Sequence, residues 1–420
     1  MPHTVDSNRE EYPVKWWSIV ITPPGESCGS AREEADLYRR MVEEEAVDII
    51  HLRKPDAPRE YSEAFLEALP SEIRSRVVLH DNFDLLDRFS LRGIHLNRRN
   101  NIPYPGAEYI SASSHTLTQA SAMAVTADYV TLSPVFDSIS KPGYNSAFSP
   151  EDIAGQLPQN KVIALGGVTP KDFPRLRRAG FAGGALMGWY MEDDKEEKIK
   201  SAALRLRMLR AFPLLLITDS SRSEDTILQA AEAYTGGCRW VQVRMKEAST
   251  AVRAETAAKI METFPKMLVC IDDDCEAVER SGANGVHLGK TDISTTEARR
   301  LLGKSVIIGR TANTFEDVEE IVSEGGNGVD YLGVGPFRFT TTKKNLAPQL
   351  GLEGYKSLIA KMREKGIYLP VLAIGGITLA DVAELIKAGV EGIAVSGAIN
   401  KSLTPVRTTT GFLKELKKNL

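Results

Sequence analysis

Gly285-Val286-His287-Leu288 in the C-terminal half of the chain repeats Gly93-Ile94-His95-Leu96 of the N-terminal half. Outward from that pair the two halves keep the same order of motifs. Ala164-Leu165-Gly166-Gly167-Val168-Thr169 returns as Ala373-Ile374-Gly375-Gly376-Ile377-Thr378. Tyr129-Val130-Thr131-Leu132-Ser133-Pro134-Val135-Phe136 is echoed by Tyr331-Leu332-Gly333-Val334-Gly335-Pro336-Phe337-Arg338. The offset between copies drifts along the chain, as expected of an old duplication whose loops have changed length. In 420 residues the repeat favours two domains, 14–210 and 211–420, each long enough to bury its own core.

The second half has short apolar runs at 214–218, 240–245, 267–272, 285–288, 305–311, 329–335, 370–376 and 392–397. Segments with helical periodicity lie between them, such as 249–264, 314–324, 352–364 and 378–388, several opening on Ser or Thr as N-caps. Strands that are apolar nearly throughout and alternate with helices require a parallel sheet covered by helices. Eight such units predict a closed (β/α)8 TIM barrel, with an open doubly wound sheet as the alternative. The first half offers a comparable series at 17–22, 49–53, 77–80, 93–96, 109–112, 129–132, 161–165 and 182–187. The fold expected is therefore α/β, two tandem barrels, with 191–210 as the last helix of the first.

Charged residues make up 26% of the chain and the net charge is −4, so no global basic field points to nucleic acid or an anionic membrane. Any anion site must be local. Cys28, Cys238, Cys270 and Cys275 form no CxxC pair and read as reduced thiols. No apolar run approaches a membrane span and residues 1–12 are polar, so a soluble, cytoplasmic protein is expected.

In a parallel barrel, chemistry sits at the C-terminal ends of the strands. In the second half those ends carry Gln242-Val243-Arg244-Met245-Lys246, Asp272-Asp273-Asp274, His287 followed by Lys290 and Asp292, Thr340-Thr341-Thr342-Lys343, Gly376, and Ser396-Gly397. Carboxylates on adjacent strands suit Mg2+, which binds through one or two carboxylates plus substrate phosphates. Arg244, Lys246 and Lys343 would neutralise phosphate oxygens, Thr340 and Thr342 would donate to them, and the glycine ends would hold a second phosphate. Singly each element has a plainer reading: the aspartate run as a turn or N-cap, His287 as a satisfied core histidine, the paired glycines as a turn. Together they describe transfer with expulsion of diphosphate.

Gln242-x-Arg244-x-Lys246, Asp272-Asp273, Gly285-Val286-His287-Leu288-Gly289 with Asp292, Thr340-x-Thr342-Lys343 and Gly375-Gly376-Ile377 resemble the thiamine phosphate synthase family over nearly all of 213–420. The resemblance implies joining of 4-amino-5-hydroxymethyl-2-methylpyrimidine diphosphate to a thiazole phosphate. It implies Mg2+ on Asp273 and Asp292, with diphosphate contacts at Gln242, Arg244, Lys246, Thr311 and Lys343, the cationic ones catalytic. Thr340, Thr342, Gly376, Ser396 and Gly397 would hold the thiazole phosphate. The family usually has Asn at Asp272 and Gln at Lys290, so Asp272 is an extra carboxylate beside the substrate.

At the same positions the first half replaces Gln242 by His51 and keeps Arg244 as Arg53. It replaces Lys246 by Pro55, moves a lysine to Lys54 on the opposite strand face, and replaces Asp292 by Asn100 opposite Asp81. Ser138, Lys141, Gly166, Gly167, Met187 and Gly188 outline a monophosphate cup, and His51, His80, His95 and His115 are expected around the mouth. A phosphate cup with an imidazole and without the carboxylate metal pair suits proton movement on a small phosphorylated molecule. His51-Leu52-Arg53 and Ser113-Ser114-His115-Thr116 resemble the thiazole tautomerase TenI, which implies that His115 is its acid/base residue. The alternatives are a nonenzymatic regulatory or dimerisation barrel, or a pair of phosphate-binding isomerase barrels from another pathway. The expected partners are small-molecule substrates, with a homo-oligomer compatible with the sequence.

Overall fold

The computed structural model describes residues 14–25, 29–137, 139, 143, 145–146, 148–191, 194–325, 328–339 and 348–419. Two compact units emerge, Lys15–Leu206 and Arg207–Leu420, the division falling inside the helix Lys195–Ala211.

The first unit contains strands β1 (Trp17–Ile21), β2 (Ile49–Leu52), β3 (Val77–Leu79), β4 (Gly93–Leu96), β5 (Ile110–Ser114), β6 (Tyr129–Leu132), β7 (Val162–Leu165) and β8 (Gly183–Leu186). The second contains β9 (Leu214–Ile217), β10 (Trp240–Val243), β11 (Leu268–Asp272), β12 (Gly285–Leu288), β13 (Ile307–Ala312), β14 (Tyr331–Val334), β15 (Val371–Ile374) and β16 (Gly392–Val395). Each set closes into an eight-stranded barrel, with β1 paired to β8 and β9 to β16, all parallel. The expected pair of TIM barrels is what the chain forms, and the open sheet is excluded.

The apolar runs are strands because both faces of each are covered. Most strand positions are buried, and each buried Val, Leu or Ile contributes about 1.5–3 kcal/mol. Helix starts follow the expected caps: Ser249 accepts from Val252 N–H ahead of Thr250–Thr263, and Thr314 and Asp317 close a reciprocal capping box. The segment 378–388 is tighter than its periodicity predicts, a 3-10 turn Leu379–Asp381 followed by the helix Val382–Lys387. The last helix of the first unit begins at Lys195 rather than 191, since Gly188–Met191 forms its own short helix.

The paired glycines after β7 and β15 make the same turn. Gly166 and Gly167 have φ of 94° and 65°, Gly375 and Gly376 φ of 98° and 68°. A Cβ on Gly167 would lie 2.2 Å from the Asp137 carbonyl oxygen, and one on Gly376 2.5 Å from Arg338 Cγ. Only glycine fits such positions, so the repeat preserves a backbone path across each barrel mouth.

Candidate active site

Strand register defines equivalent positions in the two barrels. His51 pairs with Val78 and Gln242 with Cys270. His95 pairs with Ser111 and His287 with Gly309, while Ser111 pairs with Tyr129 and Gly309 with Tyr331. His51, His80, His95, Ser113, His115 and Tyr129 thus stand where the second barrel has Gln242, Asp272, His287, Thr311, Asn313 and Tyr331.

In the second barrel Gln242, Arg244 and Lys246 alternate out of β10 at increasing height, the first buried, the second partly buried and the third exposed. The Gln242 side-chain amide donates to Asp272, and Arg244 Nε lies 3.1 Å from Asp272 Oδ2. The backbone N–H of Arg244 donates to the buried Thr218 hydroxyl at 2.9 Å. Asp272 therefore has a local cation and an amide donor against its carboxyl.

The three consecutive aspartates have three different roles. Asp274 caps the helix Cys275–Ser281, accepting from Ala277 N–H at 2.9 Å, and pairs with Arg253 at 2.9 Å. Asp273 has φ of 63°, a left-handed conformation that strains a non-glycine residue and here turns the carboxyl toward Asp292. Asp292 in turn accepts from Gly289 N–H at 2.6 Å. The Asp273 residue is exposed as a whole, yet its carboxyl meets that of Asp292 in a hydrogen bond. Desolvation first, then the charge of Asp272 and the contact with Asp292, raise its pKa to about 8. Two carboxyls in contact, with the ionised form of Asp273 disfavoured, are a site that a hard divalent cation would relieve, so the donor set fits Mg2+.

His287 is buried, with Nδ1 3.1 Å from the Tyr331 hydroxyl and Nε2 2.9 Å from Thr311 Oγ1. It is a hydrogen-bonded layer beneath the mouth, and it engages the hydroxyl that the family resemblance assigns to diphosphate. Lys290 reaches Asp317 at 2.6 Å, which accounts for the lysine there. Ser396 precedes the short helix Gly397–Asn400, and Asn400 donates to Ser396 Oγ at 3.3 Å and to the Ile217 carbonyl at 2.9 Å. Gly376 forms the adjacent turn. Thr340, Thr342 and Lys343 lie outside the described residues.

The first barrel keeps this scaffold and exchanges its charges. Arg53 N–H donates to Thr22 Oγ1 at 2.8 Å, as Arg244 does to Thr218. Burial, then the nearby Arg99, lowers the Arg53 pKa, while Asp81 opposes the shift. Asn100 Nδ2 donates to Asp81 at 2.9 Å and Arg99 pairs with it at 3.3 Å, so an amide and a guanidinium occupy the surroundings that hold Asp292 in the second barrel. Lys54 has left the mouth: its ammonium is buried against Glu34 at 2.7 Å, as its shift to the opposite strand face predicts.

The four histidines do not ring the mouth as expected. His51, His80 and His95 are buried in one layer inside the barrel, because the four-residue strands β2 and β4 turn their third side chain inward. His115 alone is exposed, at the rim just after β5. Its Nδ1 donates to the Ser133 carbonyl at 3.0 Å, which fixes the tautomer and leaves Nε2 as a proton acceptor. Asn313 makes the corresponding bond to the Gly335 carbonyl. Gly167 forms the glycine turn and Gly188 opens the short helix Gly188–Met191, whereas Ser138 and Lys141 lie outside the described residues.

Sequence reasoning passed over Tyr129, Tyr331 and Arg99. Both tyrosines recur at the head of the quoted repeat, and that recurrence was the available signal. Arg99 carried none, because its partner Asp81 meets it only through the fold. Cys238, Cys270 and Cys275 are free and buried; Cys28 lies outside the described residues. Among the described residues no helix is long and apolar enough to cross a membrane.

Comparison with known proteins agrees with this duplicated architecture. A Bacteroides fragilis protein named thiamine-phosphate synthase is 47% identical over 205 residues, 48% of this chain and 98% of the relative. One of the same name from Phocaeicola vulgatus is 49% identical over 183 residues, 43% of this chain and 86% of the relative. A solved thiamine phosphate pyrophosphorylase from Pyrococcus furiosus is 28% identical, covering 51% of this chain and 99% of its own, with a TM-score of 0.44. Each of the two thiamine-phosphate synthase relatives is thus about the length of one barrel. The family model described as thiamine monophosphate synthase matches twice, at residues 19–188 and 214–399, and the chain belongs to that family.

Proposed function

We propose that the second barrel is a transferase that makes thiamine phosphate, joining 4-amino-5-hydroxymethyl-2-methylpyrimidine diphosphate to a thiazole phosphate with release of diphosphate. The carrying observation is the Asp273 and Asp292 carboxyl pair beside the Arg244, Asp272 and Gln242 cluster. Asp273 and Asp292 would hold Mg2+, which supplies charge neutralisation to the departing diphosphate. Arg244 and Lys246 add positive charge on the same side, and the sequence adds Lys343. The pyrimidine methylene carbon loses the diphosphate oxygen and gains a bond to the thiazole nitrogen, while Thr340, Thr342, Gly376 and the Ser396-Gly397 turn hold the thiazole phosphate. The protein's share is to orient two substrates and stabilise a leaving group.

For the first barrel the reading is thiazole tautomerase. His115 Nε2, its tautomer set by Ser133, would take a proton from the untautomerised thiazole carboxylate phosphate and return it where aromatisation requires. Arg53, Lys141, Gly167 and Gly188 would hold the phosphate.

Coupling assays with both thiazole carboxylate phosphate tautomers separate the two assignments. Asp273→Ala is expected to lower coupling about 1000-fold with either acceptor, the equivalent of several kcal/mol of transition-state stabilisation. His115→Ala is expected to slow only the route from the untautomerised acceptor, by about 100-fold. An unchanged rate on that route removes the tautomerase assignment and leaves the synthase assignment standing.

A further inference from the structure

We propose that His51, His80 and His95 form a binding site for a borderline divalent metal ion of the zinc class inside the first barrel, distinct in position and donor chemistry from the carboxylate pair of the second. Each residue offers one ring nitrogen, and these nitrogens all lie within 4.8 Å of one another. His51 Nδ1 and His80 Nε2 share a hydrogen bond of 2.9 Å, and the His80 and His95 rings stack with centroids 4.3 Å apart. Zinc–nitrogen bonds of about 2.0–2.1 Å place tetrahedral ligands about 3.4 Å apart, so side-chain rotation of about 1.5 Å at most closes the set.

Electrostatics favour the same ion class. Burial, with mutual repulsion, holds His51 and His80 well below the usual histidine pKa, and burial holds His95 at about 3, so all three rings are neutral with lone pairs available at pH 7. Three neutral imidazoles suit zinc, cobalt, nickel or copper and suit Mg2+ poorly. Surrounding hydroxyls orient the rings as partners of ligating histidines do: Tyr129 bonds His51 Nε2, and Ser111 and Ser113 bond the two nitrogens of His95 at 2.8 Å each. Binding through His95 replaces one of its two serine contacts, and the Ser111 hydroxyl keeps the Ile94 carbonyl as a partner. Three protein ligands leave a fourth position, and Arg53, close enough to His80 to act on its charge, would pair with an anion bound there.

The comparison between barrels gives the strongest reason. The equivalent layer in the second barrel is an amide, a carboxylate and an imidazole, satisfied by Arg244, Tyr331 and Thr311. A hydrogen-bonded layer needs no more than that, whereas the first barrel has a histidine at all three positions. The proposal does not depend on His115 or on the tautomerase reading.

The test uses the full chain without a histidine tag, stripped by chelator and titrated with Co2+ in excess Mg2+. One Co2+ per chain should give the visible absorption of four-coordinate, nitrogen-ligated cobalt, and Zn2+ should displace it stoichiometrically. His80→Gln should weaken Co2+ binding by at least about 100-fold, and Asp273→Ala should leave the spectrum unchanged. Circular dichroism melts establish that His80→Gln is folded. Zn2+ should raise the melting midpoint of the parent chain and not that of the variant. Absence of the cobalt band in the parent chain overturns the proposal, as does equal uptake by folded His80→Gln. If that variant does not fold, the parent spectrum with Asp273→Ala decides: a band retained supports the histidine site, and a band lost overturns it.

Discussion

At the ends of β10, β11 and β12 an amide, a carboxylate and an imidazole meet, and above them Asp273 and Asp292 press two carboxyls together. At the ends of β2, β3 and β4 three imidazoles meet, and above them Asp81 is bound by an amide and a guanidinium. The backbone that carries both sets is the same to the level of strand register, the glycine turns and the Arg to Thr contact below each mouth. Duplication has therefore left the scaffold fixed and made the charge at the two mouths different, a pair of carboxyls in contact in the second and a single carboxylate already paired with a guanidinium in the first. Fold and family are shared by the two halves, while chemistry is set by a handful of substitutions.

Three experiments test that comparison. The largest effect should come from Lys54→Met, which leaves the buried Glu34 carboxyl with its Tyr61 hydrogen bond but without its ion-pair partner. It should cost the first unit about 3–5 kcal/mol in denaturant unfolding, whereas Lys246→Met, at an exposed position, should cost less than about 0.5 kcal/mol. Equal losses would mean that the lysine did not change roles between the barrels. Next, Arg99→Ala combined with Asn100→Asp gives the first mouth the carboxyl pair of the second. Electron paramagnetic resonance of Mn2+ should then count one more weakly bound ion than in the parent chain; an unchanged count would show that the pair alone does not make the site. The smallest effect should be that of Lys290→Gln, which puts in the residue that the family resemblance leads one to expect. It removes an ion pair with a half-exposed lysine and should change stability by no more than about 1 kcal/mol. Coupling activity should survive, and its loss would place Lys290 on substrate rather than on Asp317.

Much of the architecture was legible in the sequence. Strands covered on both faces must be apolar along their whole length, so all sixteen stood out as short runs, and Ser249 and Thr314 marked helix starts by capping chemistry. The mouth of the second barrel was legible for a related reason, since Gln242, Arg244 and Lys246 alternate along one strand and their height follows from the pleat. The role of Asp274 was legible only as one of two readings. Cap or ligand is decided by where the helix Cys275–Ser281 begins and where Arg253 reaches. The histidines were misplaced because strand position predicts nearness to a mouth and gives no depth. A four-residue strand buries its third side chain, and His51 and His80, 29 positions apart in the chain, meet only through the fold.

The sequence by itself determined two copies of one barrel, the order of their strands, the family to which they belong and the loss of a carboxylate between Asp292 and Asn100. These follow from local periodicity and from matching positions, which need no knowledge of distance. Only the tertiary structure decided which charges are paired, that Asp273 meets Asp292, that Lys54 is buried on Glu34, and that three histidines share one layer. Such pairings depend on barrel closure, which brings side chains from different strands within a few ångströms and excludes the water that would otherwise screen them.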